Sequence, residues 1–299
     1  MSLQAVISDH LDRLESVPNT FLSMTAKQNE QLWKELLVLL EGLEVKDGVI
    51  LSNASNLAKS QEITQRLQQV MFSGDYLEGL KGFIGQFDSQ AGMVNEIFAG
   101  RFDDFVSDSS MYKAIINQSK KTTLALFDQT AIDKAWAEPM RRIMQDNILV
   151  KGTYNDLVGV LKDYVLGSPE REAALSRYVS LYARDSFNIY NRTYTHFLAE
   201  DIGAEFYEYV GGQVEDSRDF CIARAGRKFS KKEVQSWANL SWQGKNPSTT
   251  EATIFEYAGG YNCMHSILPV DKEEAGGAFF NEVRSKSEVE QRIAAQKNK

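Results

Sequence analysis

The chain has two cysteines, and both lie with one of its three histidines in the stretch from Asp216 to Val270. The run Asp-Ser-Arg-Asp-Phe-Cys ends at Cys221, and the run Gly-Gly-Tyr-Asn-Cys-Met-His-Ser contains Cys263 and His265. Two cysteines in 299 residues exclude a disulfide framework that extends through the fold. In an extended segment Cys263 and His265 point to the same face, because successive side chains alternate. We therefore expect a local Cys/His site.

A zinc site is the first hypothesis, because thiolate and imidazole groups are the ligands that zinc prefers. Its ligands would be Cys221, Cys263 and His265, with Asp216 or Asp219 as a fourth. A structural zinc site ordinarily has four sulfur and imidazole ligands. With three such ligands, the sequence predicts at most a weak zinc site and no other cofactor.

Three other interpretations of the same residues stay open. Cys221 and Cys263 could form a disulfide, which a reducing cytoplasm disfavours and oxidising surroundings outside the cell permit. One thiol could be a nucleophile with His265 as its base, oriented by Asp219 or Asn262, which requires a partly exposed thiolate. Alternatively, both thiols are small buried packing residues beside a histidine that bonds to the backbone.

Sequence motifs of established catalytic chemistry are absent. The chain contains neither Gly-x-Gly-x-x-Gly nor Gly-x-x-x-x-Gly-Lys-Ser/Thr, the two glycine-rich patterns that bind phosphates, and it contains no His-Glu-x-x-His. We therefore predict no catalytic residue and expect that the protein is not an enzyme.

The region around the cysteines carries a larger pattern. It consists of Asp-x-Arg-x-Phe-Cys, Gly-Arg-Lys-Phe, two tryptophans, and Gly-Tyr-Asn-Cys-x-His followed by Leu-Pro-Val. The residues are Asp216, Arg218, Phe220, Cys221, Gly226, Trp237, Trp242, Gly260, Tyr261, Asn262, Cys263, His265 and Leu268 to Val270. This pattern resembles the phage Mu F-like family, the minor head or head morphogenesis proteins of tailed bacteriophages. Many members have a second Cys three residues after the first, where this chain has Arg224.

The resemblance implies a structural protein of the phage head. Such a protein would bind near the portal and act in head assembly, DNA packaging or DNA delivery. Its partners would be the portal protein and other head proteins, with at most a local contact to DNA. It would be made in the cytoplasm of the bacterial host and reside in the virion. The alternatives are a virion-carried enzyme or effector, either a cysteine hydrolase or toxin-like, and a general interaction adaptor.

Composition and charge restrict the remaining classes of function. The net charge of -8 and the pI near 5.1 argue against a broad nucleic-acid-binding surface, which needs a basic field to displace counterions. No apolar run approaches the roughly 20 residues that cross a bilayer, and the amino terminus is acidic instead of basic. We expect a soluble protein with no membrane partner.

Hydrophobic periodicity predicts an α+β fold that is predominantly α-helical. A helical domain is predicted over 1–167, the Mu F-like module over 168–270, and a charged helical tail over 271–299. In the first domain we expect helices over 54–71, over about 76–105 and over 131–150, the last kinked or restarted at Pro139, and a Leu-rich helix that ends near Gly42.

The module is predicted to begin with a long helix. Ser168 as its cap and Pro169 in its first turn would start this helix, which would run to about Asp201. Strands are expected over 204–210, 253–257 and 266–270, and a capping box from Ser230 to Glu233 would open a short helix. The tail helix would be opened by Ser287 and Glu290.

Overall fold

The computed structural model of the protein describes residues 2–106, 110–212 and 217–271. The helices in this part of the chain are α1 (Leu3–Leu40), α2 (Ala54–Met71), α3 (Asp75–Arg101), α4 (Ser110–Phe127), α5 (Gln129–Ile132), α6 (Glu138–Leu149), α7 (Tyr154–Leu166), α8 (Ala174–Asp201), α9 (Asp219–Ile222), α10 (Lys231–Ser236) and α11 (Ile254–Tyr257). The strands are β1 (Val45–Lys46), β2 (Val49–Ile50), β3 (Gly167–Ser168), β4 (Arg171–Glu172), β5 (Phe206–Val210), β6 (Arg227–Ser230) and β7 (Ser266–Val270). The predicted α+β fold with mostly helical structure is confirmed.

The chain forms two compact units, and each is assembled from separate stretches. Within the described residues, unit 1 comprises 2–16, 87–106, 110–119, 184–212 and 217–271, and unit 2 comprises 17–86 and 120–183. The division falls inside α1, α3, α4 and α8. Residues 1–167 therefore contribute to both units. The predicted boundary at residue 168, between the helical domain and the Mu F-like module, does not coincide with the boundary between the two units. It stays a prediction.

Unit 2 is built around aromatic side chains. The ring of Phe21 lies 5.3 Å from that of Phe83 and 5.3 Å from that of Phe127. The hydroxyl of Tyr76 donates to the carbonyl of Phe127 over 3.0 Å. A Cβ at Gly79 would lie 3.0 Å from the ring of Phe21, so this glycine permits close packing of α3 on α1. These contacts bury the apolar faces that the helical periodicity of the sequence indicated.

The helix predicted over 131–150 is built in three parts. α5 is followed by a five-residue π-helix, Asp133–Ala137, and then by α6. Pro139 lies in the first turn of α6, where its missing N–H needs no partner in the helix. The predicted restart at Pro139 is thus close to the observed beginning of α6.

The predicted start of the long helix at Ser168 is wrong. α7 ends at Leu166, residues 167–172 form the hairpin β3–β4, and α8 begins only at Ala174. The hydroxyl of Ser168 accepts from the N–H of Glu170 over 3.3 Å and donates to the Glu170 carboxylate over 3.0 Å, so this serine closes a turn instead of capping a helix. Gly167, with φ of +86°, permits the reversal.

Unit 1 contains a three-stranded antiparallel sheet in the order β6-β5-β7. The predictions of strands at 204–210 and 266–270 are confirmed by β5 and β7, in which Tyr209 pairs with Ile267. The sheet is covered by a cluster of buried residues from α1, α3, β5 and β7: Val6, Ile7, Ile97, Val210 and Leu268. The capping box is also confirmed, since the Ser230 hydroxyl accepts from the N–H of Glu233.

The predicted strand over 253–257 is wrong, because this segment forms the single helical turn α11. The hydroxyl of Thr253 accepts from the N–H of Thr250 over 2.9 Å and donates to the carbonyl of Ser248 over 2.7 Å, which closes a turn just before the helix. The third strand of the sheet is β6 instead, within the Gly-Arg-Lys-Phe motif.

Two predictions fall on residues that the structure does not describe. Asp216 and the tail helix opened by Ser287 and Glu290 lie outside the described residues. Within the described residues, no helix combines the length and apolar composition that a membrane crossing requires.

Candidate metal centre

Three short segments of unit 1 bring the Cys/His motif together. Strand β5 supplies Tyr209, the single turn α9 supplies Cys221, and the segment entering β7 supplies Cys263 and His265. α9 begins where it does because the backbone N–H of Cys221 bonds to the carbonyl of Arg218 over 2.8 Å. The two halves of the sequence motif thus meet on the central strand of the sheet.

The potential ligand atoms form a compact group. The Sγ atoms of Cys221 and Cys263 and a ring nitrogen of His265 all lie within 4.8 Å of one another. The Tyr209 hydroxyl donates to Cys221 Sγ over 3.3 Å and lies 3.7 Å from Cys263 Sγ. Cys263 Sγ is 3.8 Å from His265 Nδ1. All three residues are buried, with exposed fractions of 3%, 2% and 5%. The three predicted zinc ligands therefore do come together.

Gly259 leaves space for both sulfur atoms. A Cβ at this position would lie 2.5 Å from Cys221 Sγ, 2.8 Å from Cys263 Sγ and 3.2 Å from the Tyr209 hydroxyl. Real Cβ atoms essentially never approach other heavy atoms to less than 3.0 Å, so any other residue would push the sulfurs apart. The close approach of the two thiols depends on this glycine.

The two thiols differ in proton affinity. A hydrogen bond with Cys263, followed by burial, raises the pKa of Cys221. The same bond lowers the pKa of Cys263 well below its usual range, and the nearby His265 and Arg192 lower it further against the effect of burial. Burial, followed by the charges of both cysteines, raises the pKa of Tyr209. The pKa of Cys263 is therefore lower than that of Cys221, and the Tyr209 hydroxyl loses its proton less readily than that of an ordinary tyrosine.

Arg192 of α8 holds the backbone of the Cys-x-His segment. Its guanidinium donates to the carbonyls of Cys263 over 2.7 Å, His265 over 3.1 Å and Glu256 over 2.5 Å. The residue is almost fully buried. One side chain therefore fixes both ligand residues of this segment, since charge-assisted hydrogen bonds are the stronger kind.

Asp185 and Asn191, also on α8, bind the same segment. The Asp185 carboxylate accepts from the backbone N–H of Asn262 over 2.5 Å. Asn262 has φ of +55°, a left-handed conformation that asparagine tolerates better than most residues. Asn191 donates to the hydroxyl of Ser266 over 3.0 Å. The Asn262 of the sequence motif is thus a backbone anchor and not an orienting group for His265.

The other motif residues form the walls of this region. The Arg218 guanidinium donates to the carbonyl of Tyr261 over 2.6 Å, which joins the two ends of the motif. Phe220 stacks on Trp242 with ring centroids 4.1 Å apart, and the Trp242 indole donates to the carbonyl of Gly259 over 2.9 Å. The remaining aromatic wall comes from Trp237, whose ring lies 6.0 Å from that of Tyr209.

Gly226 and Gly260 both adopt positive φ, of +71° and +96°, in the turns beside the motif. Arg224 lies three residues after Cys221. Its guanidinium lies 3.8 Å from the ring of Phe220 and 4.6 Å from that of Trp237, as a cation over aromatic faces. This position therefore supplies packing and not a ligand. Asp219, one of the two predicted fourth ligands, is exposed on α9.

The geometry argues against two of the interpretations that the sequence left open and agrees with the other two. Both cysteines are free thiols, so the two sulfurs are close but not joined. Their burial argues against a nucleophile, because cysteine catalysis requires a partly exposed thiolate. A metal centre and a packed pair of thiols both agree with the observed contacts.

Sequence reasoning missed Tyr209, Gly259 and Arg192. The alternation of residues 204–210 placed Tyr207 and Tyr209 on one face, but it did not indicate that this face meets the cysteines. Gly259 begins the run that contains Cys263 and His265, but nothing in the sequence indicated its contact with both sulfurs. Arg192 lies in α8, outside the Cys/His pattern, and only the tertiary structure shows which carbonyls it binds.

Comparison with protein-family models, with curated proteins and with solved structures gave no match to this chain.

Proposed function

We propose that this protein is a minor head protein of a tailed bacteriophage that binds at the portal vertex and acts in head assembly, DNA packaging or DNA delivery. The resemblance of the Cys/His region to Mu F-like proteins supports this function. The observation that carries it is that hydrogen bonds join the described motif residues at both ends of the region around the buried Cys221, Cys263 and His265. Arg218 joins Tyr261, and Arg192 binds both Cys263 and His265.

A structural role agrees better with this site than a hydrolytic one. The thiols and the imidazole are buried and are used in contacts with one another and with Tyr209. A substrate would have to displace these contacts before it met a nucleophile. A rigid unit of this kind is suited to presenting surfaces for assembly.

The acidic charge of the chain favours a protein partner over DNA. At a net charge of -8, broad adhesion to packaged DNA is opposed by repulsion, whereas apolar burial against a protein is unaffected. Stable docking of this type buries well over about 1,000 Å² and is hardly screened by salt. Binding to DNA would weaken steeply as salt increases.

We expect the helical amino-terminal part to supply the main docking surface. Four exposed apolar side chains lie on or beside the β1–β2 hairpin and at the end of α6, and we call this group the hairpin end: Val45, Leu51, Leu149 and Val150. The N–H of Ile50 bonds to the carbonyl of Gly152 over 3.0 Å, which joins the two segments. Val150 is 76% exposed and Leu149 57%, although both are large apolar residues.

The test is co-sedimentation of the full chain with portal assemblies, and separately with double-stranded DNA, across a salt series. We expect portal binding that persists from low to moderate salt and no comparable binding to DNA. Val150→Asp should weaken portal binding at least tenfold, whereas Val160→Asp, an exposed valine on α7 outside the hairpin end, should not.

Binding that requires DNA and collapses with salt would contradict the proposed function. A general adaptor would instead bind other head proteins and not the portal. Mass spectrometry of purified proheads and virions provides an independent check, because a minor head protein must be present in both at a constant ratio to portal.

A further inference from the structure

We propose that Cys221, Cys263 and His265 form a buried zinc site in which the hydroxyl of Tyr209 takes the fourth direction. The sequence offered only three suitable ligands and a doubtful carboxylate. The structure supplies a different fourth group, from the central strand of the sheet.

The distances among these groups already approach those of a tetrahedral site. Zinc–sulfur bonds near 2.3 Å and zinc–nitrogen or zinc–oxygen bonds near 2.0 to 2.2 Å place neighbouring ligand atoms about 3.5 to 3.8 Å apart. The hydroxyl of Tyr209 lies 3.3 Å and 3.7 Å from the two sulfurs, and Cys263 Sγ lies 3.8 Å from His265 Nδ1. Because no ligand atoms of the three residues are more than 4.8 Å apart, small side-chain movements would complete the geometry.

The charge and chemical type of the ligands favour a divalent metal ion that binds sulfur and nitrogen. Two thiolates and a neutral imidazole carry a charge of −2, so a divalent ion makes the buried site neutral, whereas Cu(I) would leave a net negative charge away from water. Mg²⁺ and Ca²⁺ prefer oxygen ligands, which are too few here. The metal binds with release of the remaining thiol protons to solvent, and nothing is oxidised or reduced.

The ligand residues are held in place before any metal binds. Arg192 bonds to the carbonyls of both Cys263 and His265, and Gly259 admits both sulfurs beside its backbone. Contacts that hold the ligand residues from behind raise metal affinity, because the ligands need less reordering.

Tyr209 is a better fourth group than the carboxylates or Arg224. Asp219 is exposed on α9, and the Arg224 guanidinium lies over Phe220 and Trp237. The Tyr209 hydroxyl contacts both sulfurs. It would act as a neutral oxygen in the place that a water takes in zinc sites with three protein ligands.

Cobalt titration of the reduced full-length protein tests the site. We expect one Co²⁺ per chain, with a thiolate-to-cobalt charge-transfer band whose intensity corresponds to two thiolates, and displacement of Co²⁺ by Zn²⁺. Zinc should also slow alkylation of both thiols at least tenfold in the wild-type chain, a measurement that requires no variant.

Two tyrosine variants separate the fourth group from general packing. Tyr209→Phe should keep one metal per chain, weaken its binding about 10- to 100-fold and alter the cobalt spectrum. Tyr207→Phe removes a buried hydroxyl from the same strand, one that donates to the carbonyl of Ala204, and should change neither affinity nor spectrum.

Several results would overturn the proposal. Absence of cobalt binding to the folded, fully reduced chain, or a band that survives in both Cys221→Ser and Cys263→Ser, excludes the site. Equal affinity and an unchanged spectrum in Tyr209→Phe exclude the assigned fourth group. None of these results bears on portal binding, so the proposed function is tested separately.

Discussion

At the scale of single residues, Gly259 has a steric role that its sequence position does not reveal. We predict that Gly259→Ala lowers the free energy of unfolding by about 1 to 3 kcal/mol, because the new Cβ would overlap both sulfur atoms. Gly92→Ala is the matched control in unit 1, since a Cβ there meets nothing within 4 Å in a helix interior. It should stabilise by about 0.5 to 1 kcal/mol. Urea unfolding of both variants measures the difference, and equal effects would contradict the steric role.

His10 is the residue from which we predict a pH dependence of the free energy of unfolding. It is fully buried, and its Nδ1 lies 3.0 Å from the amide of Gln90, which also donates to Asn191. Burial, with a smaller effect of the nearby Arg13, lowers the pKa of His10 from 6.5 to about 4. The unfolded chain therefore binds this proton first as the pH falls.

The predicted effect is a loss of stability in acid. The folded-state pKa is the lower one, so the contribution of a neutral His10 is complete above pH 6.5 and is lost as the pH falls through about 4. The difference in pKa corresponds to about 3 kcal/mol. Unfolding free energies measured from pH 7 to pH 4 should fall less steeply in His10→Gln. The same series of unfolding free energies should be measured for His196→Gln as a comparison, because burial lowers the pKa of His196 as well. If the His10→Gln slope equals that of the wild type, His10 is not the responsible group.

At the scale of elements, the Cys/His segment depends on α8. We predict that Arg192→Ala lowers the free energy of unfolding by at least about 3 kcal/mol, because three carbonyls lose a charged donor. The exposed Arg177, on the same helix, is the control, and Arg177→Ala should change stability by less than about 0.5 kcal/mol.

Hydrogen exchange locates the effect of Arg192→Ala. Amides over 254–265 should exchange faster in the variant, while amides of unit 2 stay close to wild type. A uniform increase over both units would indicate that Arg192 stabilises the fold as a whole and not this segment.

The helices and strands also show which parts of the fold could be predicted from the sequence. The helix over 54–71, most of the helix predicted over about 76–105, which ends at Arg101 instead, and the strands β5 and β7 followed from periodicity, because each buries a regular face over several residues. The start of α8 was misjudged, because a serine hydroxyl closes a turn as readily as it caps a helix. The strand predicted over 253–257 was wrong, because the Thr253 hydroxyl closes a turn that leads into α11. The convergence of Cys221, Cys263 and His265 was predictable as a local motif. The contacts of Tyr209 and Arg192 were not, because neither residue belongs to the Cys/His pattern and only the packing of β5 and α8 brings them to it.

At the scale of the whole molecule, the interleaved order of the two units constrains how the protein can be divided. Unit 1 takes residues 2–16 and much of 87–119 from the amino-terminal half. Those stretches supply buried partners for the Cys/His half of the chain. Phe87 stacks on Tyr190 with ring centroids 4.5 Å apart, and the Arg101 guanidinium donates to the carbonyl of Pro269 over 2.6 Å.

We therefore predict that a fragment beginning at Ser168 does not fold on its own, although it contains the entire region that resembles Mu F-like proteins. Without residues 2–106 the fragment lacks His10, Gln90, Phe87 and Arg101, so it would expose apolar side chains and leave the Asn191 amide and the Pro269 carbonyl without their partners. Because domains are stable by only about 5 to 15 kcal/mol, we expect the loss of these buried contacts to prevent folding. Circular dichroism and urea unfolding of the fragment should show no cooperative transition, whereas adding back residues 1–167 as a separate chain should restore one. A cooperative transition in the fragment alone would contradict the prediction, and it would mean that the module can be tested for portal binding in isolation. Until then, point variants in the full chain, such as Val150→Asp, are the sound way to separate docking from folding.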